Sequence, residues 1–450
     1  VGTVIKKISE KVEKYIHTAV PSSSLVLYRV LFGVLMLIST LRFIYLGWIE
    51  EQYIAPQFHF TYYGFEFVKP YSPEFVYALF GGLVLTALCT MLGLFYRVAV
   101  ILFFLLFTYV ELLDKTYYLN HYYFVSVISL ILCFLPANVK FSLDSLLRKR
   151  IYADYVPKYS VDILKCMIAI VYIYAGIAKI NSEWLFNAMP LSIWLPAQDD
   201  FPLIGSLFRE RWVAYLFSWM GMLFDCTIPF LLMWRKSRIP AFAAVIIFHG
   251  ITGYFFQIGV FPLVMTLSVI IFFDSNVHEK ILGLFLRKNT SSAKTDYSQR
   301  RYKPIPIVLA FILIAQLIIP WRYLLYTGNR FWTEEGYRFG WRVMLMEKSG
   351  SATFYVKDSK TGKEGIVVNS EFLNRHQEKQ MSMQPDMIVQ FAHFLAKHYE
   401  KRGVNMPSVR AEVYATLNGR PSRLLIDSTV DLTQYNDDFS EKRWILDYKD

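Results

Sequence analysis

Two stretches of this sequence set ionisable side chains among apolar ones. In residues 109–122, Y-V-E-L-L-D-K-T-Y-Y-L-N-H-Y, Glu111, Asp114, Lys115, Asn120 and His121 stand between two runs that are almost wholly apolar. In Y-I-Y-A-G-I-A-K-I-N, Lys179 closes another such run. Desolvating an ionised group in hydrocarbon is costly, so residues of this kind are candidates for function. Burial favours the neutral amine of a lysine, which can act as a base; the same position also suits a lysine that snorkels to the membrane surface. His121 has the chemistry of a proton shuttle or of a donor to a developing anion, and equally that of a structural group at a helix start. Asp114 and Glu111 could orient a base or pair with Lys115. His249 in I-I-F-H-G and Asp225 in L-F-D-C-T lie inside apolar runs, where an imidazole needs a protein partner, and each is a candidate partner for the other.

No H-E-x-x-H, Walker A, G-x-G-x-x-G or G-x-S-x-G motif stands in usable context. Cys89, Cys133, Cys166 and Cys226 show neither C-x-x-C nor metal-ligand spacing. Neither a metal nor a nucleotide cofactor is therefore expected, and the chemistry would rest on side-chain bases and a lipid-soluble partner.

The elements that position these residues follow from composition. Of 450 residues 55% are hydrophobic and only 18% charged, against about 25% charged in soluble domains. The apolar residues cluster into nine candidate spans, roughly 25–46, 75–95, 97–112, 120–136, 162–180, 211–233, 240–256, 260–273 and 304–321. This is the pattern of a polytopic α-helical membrane protein. Several segments fall short of the ~20 residues that cross ~30 Å of hydrocarbon, so those must be extended, tilted or shielded. Residues 1–24 read as an amphipathic segment at the membrane surface. If the N-terminus is cytoplasmic and all nine cross, the inner connections hold twenty Lys and Arg and the outer ones three: Lys69, Lys115 and Arg209. The positive-inside rule then sets the C-terminal portion on the outer face, with the 114–121 turn and Lys179 on that side. The same topology accounts for the net charge of +11 without nucleic acid. The outer connections 47–74 and 181–210 are rich in aromatics, which suits an interfacial belt or a vestibule for a ring compound.

From about 322 the chain turns polar. Strands at 352–356 and 365–368 flank D-S-K-T-G-K, a hairpin signal. A helix is expected at 384–401, with Met387, Phe391, Phe394 and Leu395 on one side, and further strands at 410–417 and 423–426. The expected organisation is 1–24 amphipathic, 25–321 transmembrane and 322–450 an extramembrane α+β domain packed on the membrane domain.

The run M-L-G-L-F-Y-R…D-K-T-Y-Y-L-N-H-Y (91–122) with Y-I-Y-A-G-I-A-K-I-N-S-E-W-L (172–185) resembles the vitamin K-dependent gamma-glutamyl carboxylases. So do W-T-E-E-G-Y-R-F-G-W-R-V-M (332–344), the D-S-K-T-G-K-E-G hairpin and R-L-L-I-D-S-T-V-D-L (423–432). The likeness runs in order from about 20 to 440 and suggests a shorter, bacterial-type homologue with an HTTM-like membrane domain. It implies oxygenation of reduced vitamin K to its 2,3-epoxide with O2, coupled to carboxylation of protein glutamate by CO2. Lys179 then falls on the base that deprotonates the hydroquinone, and His121 on the histidine tied to the carboxylation half. Asn120 would hold the quinone oxygens, while Tyr337 and Trp341 match the glutamate-binding segment. His249 also falls on a matching position, and Asp114 belongs to the same substrate-binding set. Gly340 stands where the animal enzymes carry a serine, and Arg338 and Phe339 differ as well. The implied partners are a lipid-soluble quinol, a glutamate-containing secreted peptide and a quinone reductase; the implied location is the bacterial inner membrane, with the C-terminal domain on the periplasmic face. Other readings are quinol monooxygenation without carboxylation, or a non-enzymatic transport or assembly protein.

Overall fold

The computed structural model describes residues 2–256, 258–284, 296–297, 304–440 and 442–448. An N-terminal helix, α1 (Gly2–Ile16), leads into β1 (Ala19–Pro21), which pairs antiparallel with β2 (Tyr155–Pro157). The bundle comprises α2 (Ser23–Tyr45), α3 (Pro73–Leu92), α4 (Tyr96–Leu113), α5 (Asn120–Phe134), α6 (Tyr159–Ala178), the short α7 (Ser182–Asn187), α8 (Arg211–Met233), α9 (Arg238–Phe256), α10 (Phe261–Ser268), α11 (Ser275–Gly283) and α12 (Pro304–Ile318). Each of the nine apolar runs is helical, but not all are full crossings. Seven are long and apolar enough: α2, α3, α4, α6, α8, α9, and α12 with its continuation to Leu325. An eighth counts only if Phe261–Phe272 and α11, bent by 116° at their junction, are taken as one span. Among the described residues, seven or eight helices are thus long and apolar enough to cross, close to the nine expected. The remaining run, α5, has 15 residues and covers about 22 Å, too little for ~30 Å of hydrocarbon. Protein shields it instead, with Phe124, Ile128, Ile131 and Leu132 all buried.

Local chemistry fixes the helix ends. Ser72 caps α3 by accepting from the Phe75 amide, Pro73 sits in the first turn, and Gly93 ends the helix at φ +62°. A Cβ on Gly93 would collide with Arg29 Nη1 and Ser142 Cβ. The Asp144 carboxylate accepts from the amides of Phe95 and Tyr96 at the start of α4.

The C-terminal region forms an antiparallel sheet in the order β4-β3-β5-β6: β3 (Lys348–Lys357), β4 (Glu364–Ile366), β5 (Ser408–Leu417) and β6 (Arg423–Leu424). β3 extends beyond the expected hairpin strand because it pairs along its whole length with β5. Two helices, α13 (Arg375–Met381) and α14 (Pro385–Lys401), accompany the sheet. Met387, Phe391 and Leu395 of α14 are buried, and the Phe391 ring meets Phe354 of β3 edge-on at 5.0 Å. The same apolar core continues into Trp184, Leu191 and Phe208 of the bundle, so the two parts share packing.

Polar contacts between the parts come from one end of the bundle, through connections 46–72, 114–119 and 181–210 and the first residue of α5. Gln57 N donates to Phe372 O, Gln377 Nε2 to Asp114 Oδ2 at 2.7 Å, and Trp194 Nε1 to Glu347 at 2.6 Å. Arg420 pairs with Glu183 at 2.7 Å. Lys115 pairs with Asp386 at 2.8 Å and Asp437 at 3.1 Å, not with Asp114 or Glu111. β1, β2 and the contact of Ser24 with His278 lie at the other end. The basic residues of 285–295 and 298–303 that enter the charge count lie outside the described residues.

Candidate functional site

The site is built where α6 meets α8. Gly176 sits against the partner backbone: a Cβ there would lie 2.5 Å from Cys226 Sγ and 2.8 Å from Cys226 N. A small residue at such a contact lets two membrane helices approach closely. One turn on, at the C-cap of α6, Lys179 reaches Asp225, with Nζ 2.7 Å from Oδ2 and 3.3 Å from the Ala175 carbonyl. Both residues are buried. The Lys179 Nζ also stands 5.3 Å from the centre of the Trp184 ring. Trp184 is held by α8: its indole N–H donates to Ser218 O at 2.8 Å. Asn181 caps α7 by accepting from the Trp184 amide.

Sequence reasoning paired Asp225 with His249. The structure separates them into two pairs: Asp225 serves Lys179, and His249 Nε2 hydrogen-bonds to Tyr172 Oη at 2.8 Å. Lys179 is accordingly not the lone amine expected from its apolar setting but one half of an ion pair. The level along α6 decides this: Asp225 meets its end at Lys179, and His249 meets it about two turns earlier at Tyr172. Both pairs line one cavity of about 80 Å³, walled by Trp184, Phe217, Phe248, Phe256 and Phe261 among others. His249 Nδ1 is buried and has no hydrogen-bond partner among the described residues.

The other residues singled out in the sequence lie around this cavity rather than in it. His121 is buried behind Phe261, whose ring is 5.7 Å from both the His121 and the His249 rings. Its Nε2 has no partner among the described residues. Asn120 donates to Arg342 O at 2.7 Å and accepts from Tyr118 Oη at 3.1 Å. Asp114 accepts from Thr116 N, Thr116 Oγ1 and Gln377 Nε2, and its Oδ2 lies 3.3 Å from His59 Nδ1, which places it in the joint between the two parts.

Tyr337 and Trp341 belong to a strap, residues 336–344, that runs from this joint into the membrane cavity. Its far end, Val343 and Met344, lines the cavity. Phe339, Trp341 and Met344 adopt φ of +61°, +55° and +55°, a left-handed conformation that bulky side chains adopt only when their surroundings enforce it. Phe339 packs on Tyr118 and Tyr123 at 5.0 and 4.9 Å, and its amide donates to Tyr118 Oη at 2.7 Å. Trp341 is fully buried and stacks on Tyr123 at 4.8 Å. At its near end the strap borders a second pocket of about 210 Å³, lined by Lys115, Arg322, Arg338, Asp386 and Lys442 among others. Burial opposes the charge on Asp386, yet Arg338 and Lys115 hold its pKa well below the usual carboxylate range.

Tyr172 escaped sequence reasoning: it carried no signal of its own among 31 tyrosines, whereas Trp184 entered as one of the aromatics of the outer connection 181–210. The spacing of Tyr172 seven residues before Lys179, on one face of a helix, was the available clue.

An apolar cavity with a carboxylate-paired lysine and an orphaned imidazole nitrogen suits a flat, largely apolar molecule with ionisable oxygens. Among the described residues no group of three or more His, Cys, Asp or Glu side chains could hold a metal ion. No solved structure matches the chain. Residues 17–276 match the family model of the HTTM domain, and residues 302–450 match that of the vitamin K-dependent gamma-carboxylase lumenal domain. With the two matches in order and covering nearly the whole sequence, the chain belongs to the vitamin K-dependent gamma-carboxylase family.

Proposed function

We propose that this carboxylase-type membrane protein oxygenates a reduced vitamin K-type quinol at the Lys179 cavity and couples that reaction to carboxylation of a glutamyl side chain. The observation that carries the reading is the Lys179–Asp225 pair inside an aromatic cavity. A bound quinol supplies the reducing electrons and two acidic hydroxyls of pKa about 10. Lys179 can accept one of those protons at Nζ once its own extra proton has passed to Asp225 Oδ2, to which it already hydrogen-bonds. Asp225 is thus the proton store and Lys179 the group that meets the substrate. Phe217, Phe248 and Phe261 keep water from this exchange.

On this reading Asn120 anchors the strap through Arg342 O. Tyr337 and Trp341 shape the route from the charged pocket toward His121, where glutamate would be engaged. Asp114 supports that route by fixing the joint. The N-terminus would be cytoplasmic and the C-terminal domain periplasmic; the charge asymmetry between connections and the gathering of the outer ones beside that domain support this. A reductase must return the oxidised vitamin to the quinol.

Purified protein given reduced vitamin K and O2 is expected to form epoxide, and, with a glutamyl peptide and labelled bicarbonate, to fix CO2. Lys179→Ala is expected to lower epoxide formation by about 10³-fold, and undiminished epoxide would refute its role as base. His121→Ala is expected to impair carboxylation at least as much as epoxidation.

A further inference from the structure

We infer that Tyr172 and His249 form a second polar clamp in the cavity, which holds the ring oxygen of the quinol opposite the one at Lys179. The inference rests on the reading that the cavity binds a quinol, and it adds a residue, Tyr172, and a task for each end of the ring.

Three observations support it. First, Tyr172 and Lys179 are seven residues apart on α6, and both line the cavity. Seven residues return to the same helix face about two turns further along the axis. The Tyr172–His249 and Lys179–Asp225 pairs therefore stand at different levels of one cavity, as the two oxygens of a 1,4-dihydroxy ring require. Second, the partnering is incomplete in a specific way. His249 is 2% exposed, its Nε2 is engaged by Tyr172 Oη, and Nδ1 is left buried without a partner among the described residues. A buried imidazole nitrogen with no partner is costly unless a ligand completes it. Third, His121, the other histidine with an orphaned nitrogen, is divided from the cavity by Phe261. His249 is therefore the imidazole available to the ring.

Tyr172 acts through His249. Its hydroxyl fixes the orientation of the imidazole: when it donates to Nε2, Nδ1 carries the proton and donates to a ring oxygen, and when it accepts from Nε2, Nδ1 accepts from a ring hydroxyl. Tyr172 is thus a positioning residue, while His249 Nδ1 makes the contact.

The test is a binding comparison under anaerobic conditions, followed by tryptophan fluorescence of the full chain in detergent. The probes are 2-methyl-1,4-naphthohydroquinone and the two monophenols that lack one of its oxygens, 2-methyl-1-naphthol and 3-methyl-1-naphthol. The wild-type protein is expected to prefer the dihydroxy compound by about tenfold, the size of one buried hydrogen bond. In His249→Phe that preference should fall to near unity, with retained binding of at least one monophenol reporting an intact cavity. Tyr172→Phe removes a single oxygen and should reduce the preference by about threefold; it carries the test if the histidine variant does not fold. A preference unchanged in Tyr172→Phe and in every folded histidine variant overturns the clamp. If epoxide formation remains dependent on Lys179 in that case, the proposed function stands and only the clamp is lost. A wild-type protein that binds none of the three compounds refutes both.

Discussion

Lys115 and Lys179 look alike in the sequence: each follows an apolar run at the same side of the membrane domain, and each is buried in the structure. They differ in how completely they are partnered. Lys115 bridges Asp386 and Asp437; Asp386 also binds Arg338, and Asp437 also accepts from Gln390. Lys348, in the sheet domain, fills all three of its donors with Trp332 O, Met383 O and Glu334. Lys179 has one carboxylate and one long contact to a helix carbonyl, and Lys179 is the only hydrogen-bond partner found for the Asp225 carboxylate among the described residues. A fully partnered buried ion acts as a fastener, whereas one left short of partners in a cavity is available to a ligand.

The sharpest way to break this contrast is to remove each ion pair and read stability and activity separately. Lys115→Ala leaves Asp437 without a cation and Asp386 with Arg338 alone, and should destabilise the protein by about 3–5 kcal/mol, seen as a lower thermal midpoint in detergent. Because Asp386 is held below the usual carboxylate range, the contribution of its charge to stability is full above about pH 4 and is lost as pH falls through the lowered pKa. The double variant Lys179→Met/Asp225→Leu removes both partners and should leave the midpoint within about 2 kcal/mol of wild type while abolishing epoxide formation. Equal stability losses in the two variants would erase the distinction.

A smaller effect is expected from Gly176→Ala. The new methyl group meets Cys226 Sγ and backbone, so the helices must separate at a cost of about 1–3 kcal/mol. Epoxide formation should fall with the widened Lys179–Asp225 distance, and Cys226→Ala should restore part of it. The smallest effect belongs to Glu183→Gln at the joint. Its pair with Arg420 is partly exposed, and its loss should cost no more than about 1 kcal/mol, with a rise in quinol KM as α7 and Trp184 loosen.

How much of this was legible in the sequence depends on the physics behind each feature. Lys179 and His249 stood out because an ion in an apolar run is costly wherever it points. Their pairing did not, because it depends on how three helices are set against one another: Asp225 stood out but was matched to His249 instead of Lys179, and Tyr172 was not singled out. The apolar runs could be read from hydropathy, but whether each crosses could not. α5 stays short because neighbouring protein replaces lipid around it, and the bend before Ser275 is a tertiary feature. The 358–363 turn was visible in its residues, whereas the full length of β3 reflects a partner more than fifty residues away. The strap drew notice as a segment of family likeness, but its course between the two pockets left no local trace, since Phe339 and Trp341 are held at positive φ by contacts distant in sequence.

Val343 and Met344, at the end of that strap, line the Lys179 cavity on its way from the C-terminal domain. Because the strap walls the cavity, the lipid-soluble quinol proposed above is expected to arrive from the bilayer rather than from the aqueous side. On that reading the relevant substrate concentration is a mole fraction in lipid. Turnover in vesicles should follow the ratio of quinol to phospholipid and stay constant when both are diluted together in buffer.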